Sequence, residues 1–190
     1  MMKTLVVLGS PRKKGNTEIL AGQIRKGIEE AGGTCESVRL EGLDIHPCIG
    51  CGGCEKEGRC VIQDDMQQMY EKIDRADRII IASPIYFYSV TAQTKAFIDR
   101  CQALWSRKYI LKQRLQPQTE KIGYLVSVSA TRGERIFEGA ILTVQYGLDA
   151  MDYRYGGEFV VRGADRKGII TKFKDELKRA KQFGRKVVED

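Results

Sequence analysis

Histidine is nearly absent from this chain, because His46 is the only one among its 190 residues. It lies two residues before Cys48 in a cysteine-rich loop, so a Ser-His-Asp hydrolase site is disfavoured. A lone histidine in a loop is most often a solvated side chain, and we assign it no role. The sequence also contains no internal repeat and no low-complexity linker. These absences favour a single domain over residues 1–190.

Long hydrophobic runs are missing as well. No stretch reaches the length of apolar residues that a membrane-spanning helix needs, and the N-terminus shows no signal-peptide core followed by a cleavage site. We therefore expect a cytoplasmic protein without a membrane partner. Six cysteines in such a reducing compartment indicate metal or redox chemistry before disulfides. Cys35 and Cys101 fall on apolar faces and are expected in the core.

The two common nucleotide-binding signatures are lacking. Five residues separate Gly9 from Gly15, and Asn16 stands where a P-loop has its lysine. The dinucleotide fingerprint Gly-x-Gly-x-x-Gly is missing because only these two glycines are present. A phosphate bound near the N-terminus must therefore be held in another way.

Positive charge exceeds negative charge, with a formal net charge of +7. Residues 165–190 hold nine Lys or Arg against five Asp or Glu. An apolar stripe that includes Phe173, Leu177 and Val187 runs through this segment, which is typical of a docked helix whose charges face solvent. We favour this solvated face over a nucleic-acid patch and expect no nucleic-acid partner.

The most informative stretch lies near the N-terminus. The apolar run 5–8 is too short for a helix and predicts a buried strand, and Asn16 or Thr17 is expected to cap the helix that follows. A strand that enters a helix through a polar turn leaves unpaired backbone N–H groups at the positive end of the helix dipole. Together with the side chains of Ser10, Arg12, Asn16 and Thr17, this turn suits a terminal monophosphate. A capped helix with nothing bound is the alternative.

Strand and helix patterns alternate along the rest of the chain. Strands are expected at 5–8, 35–40, 78–82, 121–129 and 153–161, each followed by a helix, the last over about 167–188. The helix after the third strand is expected to bury Phe97 and Trp105. Residues 41–63 are interpreted as an inserted cysteine-rich loop and residues 106–120, around Pro117, as a surface excursion. The alternation predicts an α/β fold with a parallel sheet covered by helices on both faces.

Three polar loops follow strands at the sheet edge where ligands bind in such folds. They are Ser10–Thr17, Ser83–Thr91 and Ser127–Gly133. The second contains Tyr86, Phe87 and Tyr88 in succession, which suits a planar ring better than ordinary loop packing. A phosphate turn combined with an aromatic loop indicates flavin mononucleotide, FMN.

Two motifs give the chain a specific resemblance to a known family. Val7-Leu8-Gly9-Ser10-Pro11-Arg12 with Gly15-Asn16-Thr17 resembles the phosphate loop of the flavodoxin-like NAD(P)H-dependent FMN reductases. Ser83-Pro84-Ile85-Tyr86 with Lys95-Ala96-Phe97-Ile98-Asp99-Arg100 resembles their second flavin loop and the helix after it. The similarity covers about residues 3–135, and the last third matches only in its order of elements.

This resemblance implies a flavodoxin-like three-layer α/β/α fold with a five-stranded parallel sheet in the order 2-1-3-4-5, and FMN along the three loops. By motif position it puts Ser10, Arg12, Asn16 and Thr17 at the phosphate. It puts Pro84, Ile85, Tyr86 and Phe87 beside the isoalloxazine ring, and Ser129, Thr131 and Gly133 at the opposite edge of the ring.

Four thiols fall within thirteen residues of the inserted loop. Cys48, Cys51, Cys54 and Cys60 are separated by two, two and five residues, and the glycines between them let the backbone wrap a small group. The loop resembles the compact cysteine motif of the iron–sulfur flavoproteins, a branch of the same family, in which it holds a [4Fe–4S] cluster. Cluster-free thiols, a zinc site and incidental cysteines are the alternatives.

The resemblance implies an FMN-dependent oxidoreductase that passes electrons between NAD(P)H or ferredoxin, FMN, a [4Fe–4S] cluster and a small acceptor. Arg132 and the start of the helix after Gly133 are candidates for the positive potential near N1 of the flavin. The alternatives are a cluster-free NAD(P)H-dependent FMN or quinone reductase, an electron carrier that docks on redox proteins, and a flavin-free regulatory fold. The resemblance also suggests a homodimer or homotetramer.

Overall fold

A five-stranded parallel sheet forms the centre of the molecule. The computed structural model describes residues 1–114 and 120–190. Its strands run in the order β2-β1-β3-β4-β5, and every neighbouring pair is parallel, which confirms the predicted flavodoxin-like sheet. They are β1 (Lys3–Leu8), β2 (Thr34–Arg39), β3 (Arg78–Pro84), β4 (Ile122–Val128) and β5 (Arg154–Val161).

Helices cover both faces of this sheet. They are α1 (Asn16–Glu30), α2 (Cys54–Glu57), α3 (Met66–Arg75), α4 (Ala92–Arg100), α5 (Gln102–Trp105), α6 (Glu138–Ala150) and α7 (Lys174–Glu189). Short 3₁₀ turns occur at Leu40–Gly42 and Ile169–Lys172, and a π-turn at Ser106–Ile110. No helix within residues 1–114 or 120–190 is long and apolar enough to cross a membrane.

The central strands are mostly apolar and buried because both of their faces are covered. Successive side chains of β3 enter opposite cores: Ile79 and Ile81 pack with α3, α4 and α6, whereas Ile80 packs with α1 and α7. Cys101 is fully buried in the first core, as predicted, and Cys35 is partly buried beside the second. Burial raises the pKa of the Cys35 thiol to about 11 and also raises that of Cys101, which keeps both thiols protonated at neutral pH.

Two predicted boundaries near the candidate site are wrong. Gly15, not Asn16 or Thr17, is the N-cap of α1, and glycine has no side chain with which to cap the helix. The Asn16 amide binds another loop instead. The third strand does not stop at residue 82. It continues through Pro84, since Ser83 and Pro84 remain in register with Ser127 and Val128 of β4.

The region after β3 also differs from expectation. The helical segment breaks at Cys101 into α4 and α5, and Trp105 lies partly exposed rather than inside. The predicted excursion 106–120 begins with the π-turn, in which Ser106 is fully buried. Residues 115–119, including Pro117, lie outside the described residues. The last helix starts at Lys174 instead of 167, after a separate 3₁₀ turn.

Helices α1 and α7 touch through their backbones. A Cβ atom at Gly27 would lie 2.0 Å from the carbonyl oxygen of Lys181, and one at Gly184 would lie 2.0 Å from that of Ile24. Both distances are far below van der Waals contact, so only glycine allows the helices to approach this closely.

Candidate active site

A cavity of about 160 Å³ opens at the carboxyl edge of the sheet. It lies beyond β1, β3 and β4, which is where ligands bind in folds of this kind. The loop between β5 and α7 closes its other side. Its lining comprises Ser10, Arg12, Gly15, Asn16, Thr17, Pro84, Ile85, Tyr86, Val128, Ala130, Ala164, Asp165 and Lys167.

The loop between β1 and α1 is held by the start of α4. The Gly9 N–H donates to the carbonyl of Ala82 at 2.8 Å, and the Thr91 hydroxyl donates to the carbonyl of Gly9 at 2.6 Å. A Cβ atom at Gly9 would lie 1.8 Å from the Thr94 hydroxyl oxygen, so a larger residue would push the loop outward. Within the loop, the Ser10 hydroxyl accepts the Arg12 N–H at 3.2 Å.

The first turn of α1 borders this cavity. A helix of fifteen residues leaves its first backbone N–H groups without intrahelical partners at the positive end of its dipole. Thr17 is buried against the cavity, whereas the Arg12 and Lys167 side chains line it from exposed positions. This end of the cavity therefore suits a phosphate, because it offers unpaired N–H groups, the hydroxyls of Ser10 and Thr17 and two cations.

The Asn16 side chain already has partners in the fold. Its Nδ2 donates to the carbonyls of Ala164 and Arg166 at 2.8 and 3.0 Å, and its Oδ1 accepts the Ile170 N–H at 3.3 Å. Asn16 thereby holds the loop before α7 against the start of α1. This contact brings Ala164, Asp165 and Lys167 to the cavity, which sequence reasoning did not find. The only sign of this role in the sequence was the basic character of residues 165–190, which we interpreted as the solvated face of a helix.

The aromatic loop after β3 forms a tight turn. Tyr86 and Ser89 exchange backbone hydrogen bonds at 2.9 and 3.0 Å, which forces Phe87 and Tyr88 to φ angles of +48° and +63°. Bulky residues rarely adopt this left-handed conformation, and such strain is often found at ligand sites. Pro84, Ile85 and Tyr86 line the cavity, whereas the Phe87 side chain projects fully into solvent.

The third predicted loop contributes Val128 and Ala130 to the cavity wall, whereas its predicted site residues Ser129, Thr131 and Gly133 lie beside the cavity. Ser129 is buried, and its hydroxyl donates to the carbonyl of Thr131 at 2.8 Å. A Cβ atom at Gly133 would lie 3.3 Å from the Tyr88 hydroxyl, so this loop meets the aromatic loop there. Arg132 packs against Gly163, and Val128 and Ala130 supply the contacts to the cavity from this side.

The four loop thiols line a second cavity of about 370 Å³. Cys48 and Cys51 are exposed, whereas Cys54 and Cys60 are partly buried. Gly50, Gly52 and Gly58 have φ angles of +65°, +70° and +67°, which let the backbone wrap the cavity. In the described part of the chain, no three metal-ligating side chains converge on one point. The donor set itself, four thiols around one cavity, fits a thiolate-bound metal group.

A buried ion pair closes the base of this loop. The Arg100 guanidinium donates to both Asp64 oxygens, at 2.5 and 3.0 Å, and both side chains are inaccessible to solvent. Arg100 also donates to the carbonyls of His46 and Ile62, so one side chain ties both ends of the cysteine segment. Burial acts to raise the pKa of Asp64, but the hydrogen bonds from Arg100 and two backbone N–H groups prevail and lower it.

Comparison with known proteins identifies the family. Residues 2–154 match the family model described as NADPH-dependent FMN reductase. The chain belongs to this family. That membership confirms the predicted resemblance and agrees with the expected class of FMN-dependent oxidoreductases.

The curated relatives of this FMN reductase family member carry a more specific name. An iron–sulfur flavoprotein of Methanocaldococcus jannaschii is 39% identical over 69% of the chain and 64% of its own length. An iron–sulfur flavoprotein of Archaeoglobus fulgidus is 36% identical over 80% of the chain and 75% of its own length. The chain spans 64%, 45% and 65% of the lengths of the first three relatives. These matches bear out the predicted resemblance to the iron–sulfur flavoprotein branch.

Solved structures share the fold of this family member. An NAD(P)H:quinone oxidoreductase from Methanothermobacter marburgensis aligns with a TM-score of 0.76 at 20% identity, covering 98% of this chain and 96% of that one. A flavone reductase aligns with a TM-score of 0.72 at 19% identity, covering 99% of this chain and 62% of that one. At these identities the likeness concerns the fold alone.

Proposed function

We propose that the chain is an FMN-dependent oxidoreductase that also holds a [4Fe–4S] cluster and passes electrons from NAD(P)H or ferredoxin to a small acceptor. The observation that carries this proposal is the arrangement of the two cavities around α4. The aromatic loop precedes α4, and Asp99 and Arg100 at its other end line the cysteine cavity. Nine residues of helix span roughly 13 Å, so α4 connects the two sites as a short rigid element.

The first cavity is the proposed FMN site. The N-terminus of α1, Ser10, Arg12 and Thr17 bind the phosphate, and Asn16 positions the adjoining loop that carries Lys167. Pro84, Ile85 and Tyr86 contact the isoalloxazine ring. The names of the family and of its relatives support this assignment.

Residues beside the cavity complete the proposed flavin site. Phe87 covers the exposed side of the ring, and Ser129, Thr131 and Gly133 border the opposite edge. Arg132 provides positive charge near the ring, which favours the reduced anionic flavin. The close approach of Gly133 to the Tyr88 hydroxyl, where the third loop meets the aromatic loop, supports these roles.

The second cavity is the proposed cluster site, with Cys48, Cys51, Cys54 and Cys60 as ligands. When bound, FMN supplies two-electron and one-electron chemistry and the cluster supplies one-electron chemistry. The chain binds both groups, orients them and shields their buried sides. The two exposed thiols, Cys48 and Cys51, lie on the outer side of the cysteine loop, which suits electron exchange with a partner. Exposed thiols stay reduced only in a reducing compartment, and this supports a cytoplasmic location.

An exposed apolar face supports a homo-oligomer. Trp105, Leu142 and Tyr146 line one open cavity between α5 and α6, and all three are exposed. Contiguous exposed apolar surface often marks an interface. We propose that two copies pack through this face. Light scattering that gives the mass of a single chain at micromolar concentration would refute it.

The proposed function is tested by purifying the protein without oxygen and measuring FMN, iron and sulfide. We expect about one FMN and roughly four iron atoms per chain, as a [4Fe–4S] cluster requires. Cys51→Ser should lose most of the iron and keep FMN, whereas Cys35→Ser, which changes a cysteine outside the loop, should keep both. FMN without iron would leave a cluster-free reductase. A protein that takes up neither group would overturn the whole proposal.

Removal of the Arg12 guanidinium should weaken FMN binding. Hydrogen bonds to a charged group contribute roughly 1.5–3 kcal/mol, so Arg12→Ala should raise the dissociation constant about 10- to 100-fold in fluorescence titrations of the apoprotein. Lys13→Ala removes the same charge from the next residue, which does not line the cavity, and should change the constant less than about threefold. Equal effects of the two substitutions would show that general charge, not a phosphate contact, holds FMN.

A further inference from the structure

A buried hydroxyl lies behind the cysteine loop. Ser106 is the first residue of the π-turn Ser106–Ile110 and is fully inaccessible to solvent. Its Oγ lies 3.4 Å from the Sγ of Cys54, within hydrogen-bonding distance for sulfur. Among the described residues, this is the one side-chain hydrogen bond that Ser106 makes.

The chemistry of Cys54 decides the direction of this hydrogen bond. A thiolate, whether free or bound to a metal, has no proton to donate. In that state the Ser106 hydroxyl must be the donor and the Cys54 sulfur the acceptor. Cys48 and Cys51 are exposed, so water can reach their sulfurs, whereas Cys54 is partly buried and receives a donor from the protein itself.

The surroundings of Ser106 keep the hydroxyl in place. Gly58 ends the short helix α2, which begins at Cys54, and a Cβ atom there would lie 3.1 Å from the Cβ of Arg107. Arg107 is bound to both oxygens of Asp74 on α3, at 2.6 and 2.9 Å. The π-turn is therefore tied to α3 on one side and packed against the cysteine segment on the other. Single π-turns of this kind often occur at functional sites.

We infer that Ser106 is a positioning residue that sets the reduction potential of the group held by Cys54. This inference rests on the proposed cluster site. A hydrogen bond donated to a ligating sulfur withdraws negative charge from it and stabilises the state that carries one more electron. No bond is formed or broken, and the proton stays on Ser106 Oγ. The hydroxyl thus raises the reduction potential of the group that Cys54 holds.

The test is a redox titration of the anaerobically purified holoprotein, followed by visible absorbance or electron paramagnetic resonance, with iron content measured in parallel. In Ser106→Ala we expect full iron content and a more negative midpoint potential. At a fixed potential the ratio of reduced to oxidised cluster should fall about tenfold, which corresponds to roughly 60 mV for a one-electron couple. Ser106→Thr keeps the hydroxyl and should retain the wild-type potential.

Ser127→Ala is the matched control, because Ser127 is another fully buried serine, whose hydroxyl binds the Ser83 carbonyl at 2.7 Å. It should leave the cluster potential unchanged. Full iron content with an unchanged potential in Ser106→Ala, or an equal shift in Ser106→Thr, would overturn the inference. If Ser106→Ala lost its iron while the other variants kept theirs, the hydroxyl would serve to hold Cys54 in place, and the inference about the potential would again be overturned. Wild-type protein without iron would instead refute the cluster, a separate failure.

Discussion

Replacement of Arg100 by methionine is expected to lower the free energy of unfolding by about 3–5 kcal/mol, because it leaves the Asp64 carboxylate buried without a partner. Both side chains are inaccessible to solvent, and Arg100 also binds the carbonyls of His46 and Ile62. The same substitution therefore releases both ends of the cysteine segment. We expect the iron content to fall as well, measured on protein that urea titration shows to be folded.

Two further variants separate the ion pair from general effects. The double variant Arg100→Met with Asp64→Leu removes both charges and should recover part of the lost stability. Arg25→Met breaks an exposed pair with Glu29 and should cost less than about 1 kcal/mol. A loss for Arg100→Met no larger than that for Arg25→Met would contradict the role that we assign to the buried pair.

The buried pair makes the free energy of unfolding depend on pH with a definite sign. The pKa of Asp64 in the folded protein is lower than its ordinary value of about 3.9, so the folded state binds this proton less readily than the unfolded state. The contribution of the pair is fully present above that ordinary value and is lost as the pH falls through the folded pKa. In the double variant, which lacks Asp64, the decrease in the free energy of unfolding that this carboxyl causes at acid pH should disappear.

Substitution of Gly27 by alanine is the second large effect that we expect. The new methyl group would lie 2.0 Å from the carbonyl oxygen of Lys181, so α1 and α7 must separate. Such overpacking costs about 2–3 kcal/mol, and urea titration should show this decrease in the free energy of unfolding.

Gly22→Ala is the matched control on the same helix. No atom lies within 4 Å of a Cβ at Gly22, so alanine there should stabilise the protein by about 0.5–1 kcal/mol through its higher helix propensity. Gly184→Ala would place its methyl group 2.0 Å from the carbonyl oxygen of Ile24, a second close contact between the same two helices, and should resemble Gly27→Ala. Equal stability changes at positions 22 and 27 would refute the close backbone contact.

Local sequence patterns were sufficient to predict a parallel sheet and the two chemically distinctive loops, and the resemblance to a known family supplied the order of the strands. Apolar runs such as residues 79–82 mark buried strands because parallel strands are covered on both faces. The loop between β1 and α1 and the four loop thiols each lie within one short stretch of sequence, so their residue types and spacing could be read directly. For the same reason, the family could be recognised from its motifs and was then confirmed by the match over residues 2–154.

Contacts between distant parts of the chain were decided only by the tertiary structure. Asn16 binds the carbonyl of Ala164, 148 residues away, and this contact brings the loop before α7 to the first cavity. Arg100 meets Asp64 across 36 residues, and Ser106 meets Cys54 across 52. Hydrophobic periodicity carries no information about which polar side chains pair in space, because pairing depends on how the elements pack. The sequence by itself therefore determined the fold and the residue types of both candidate sites, and the packing decided which side chains hold them together.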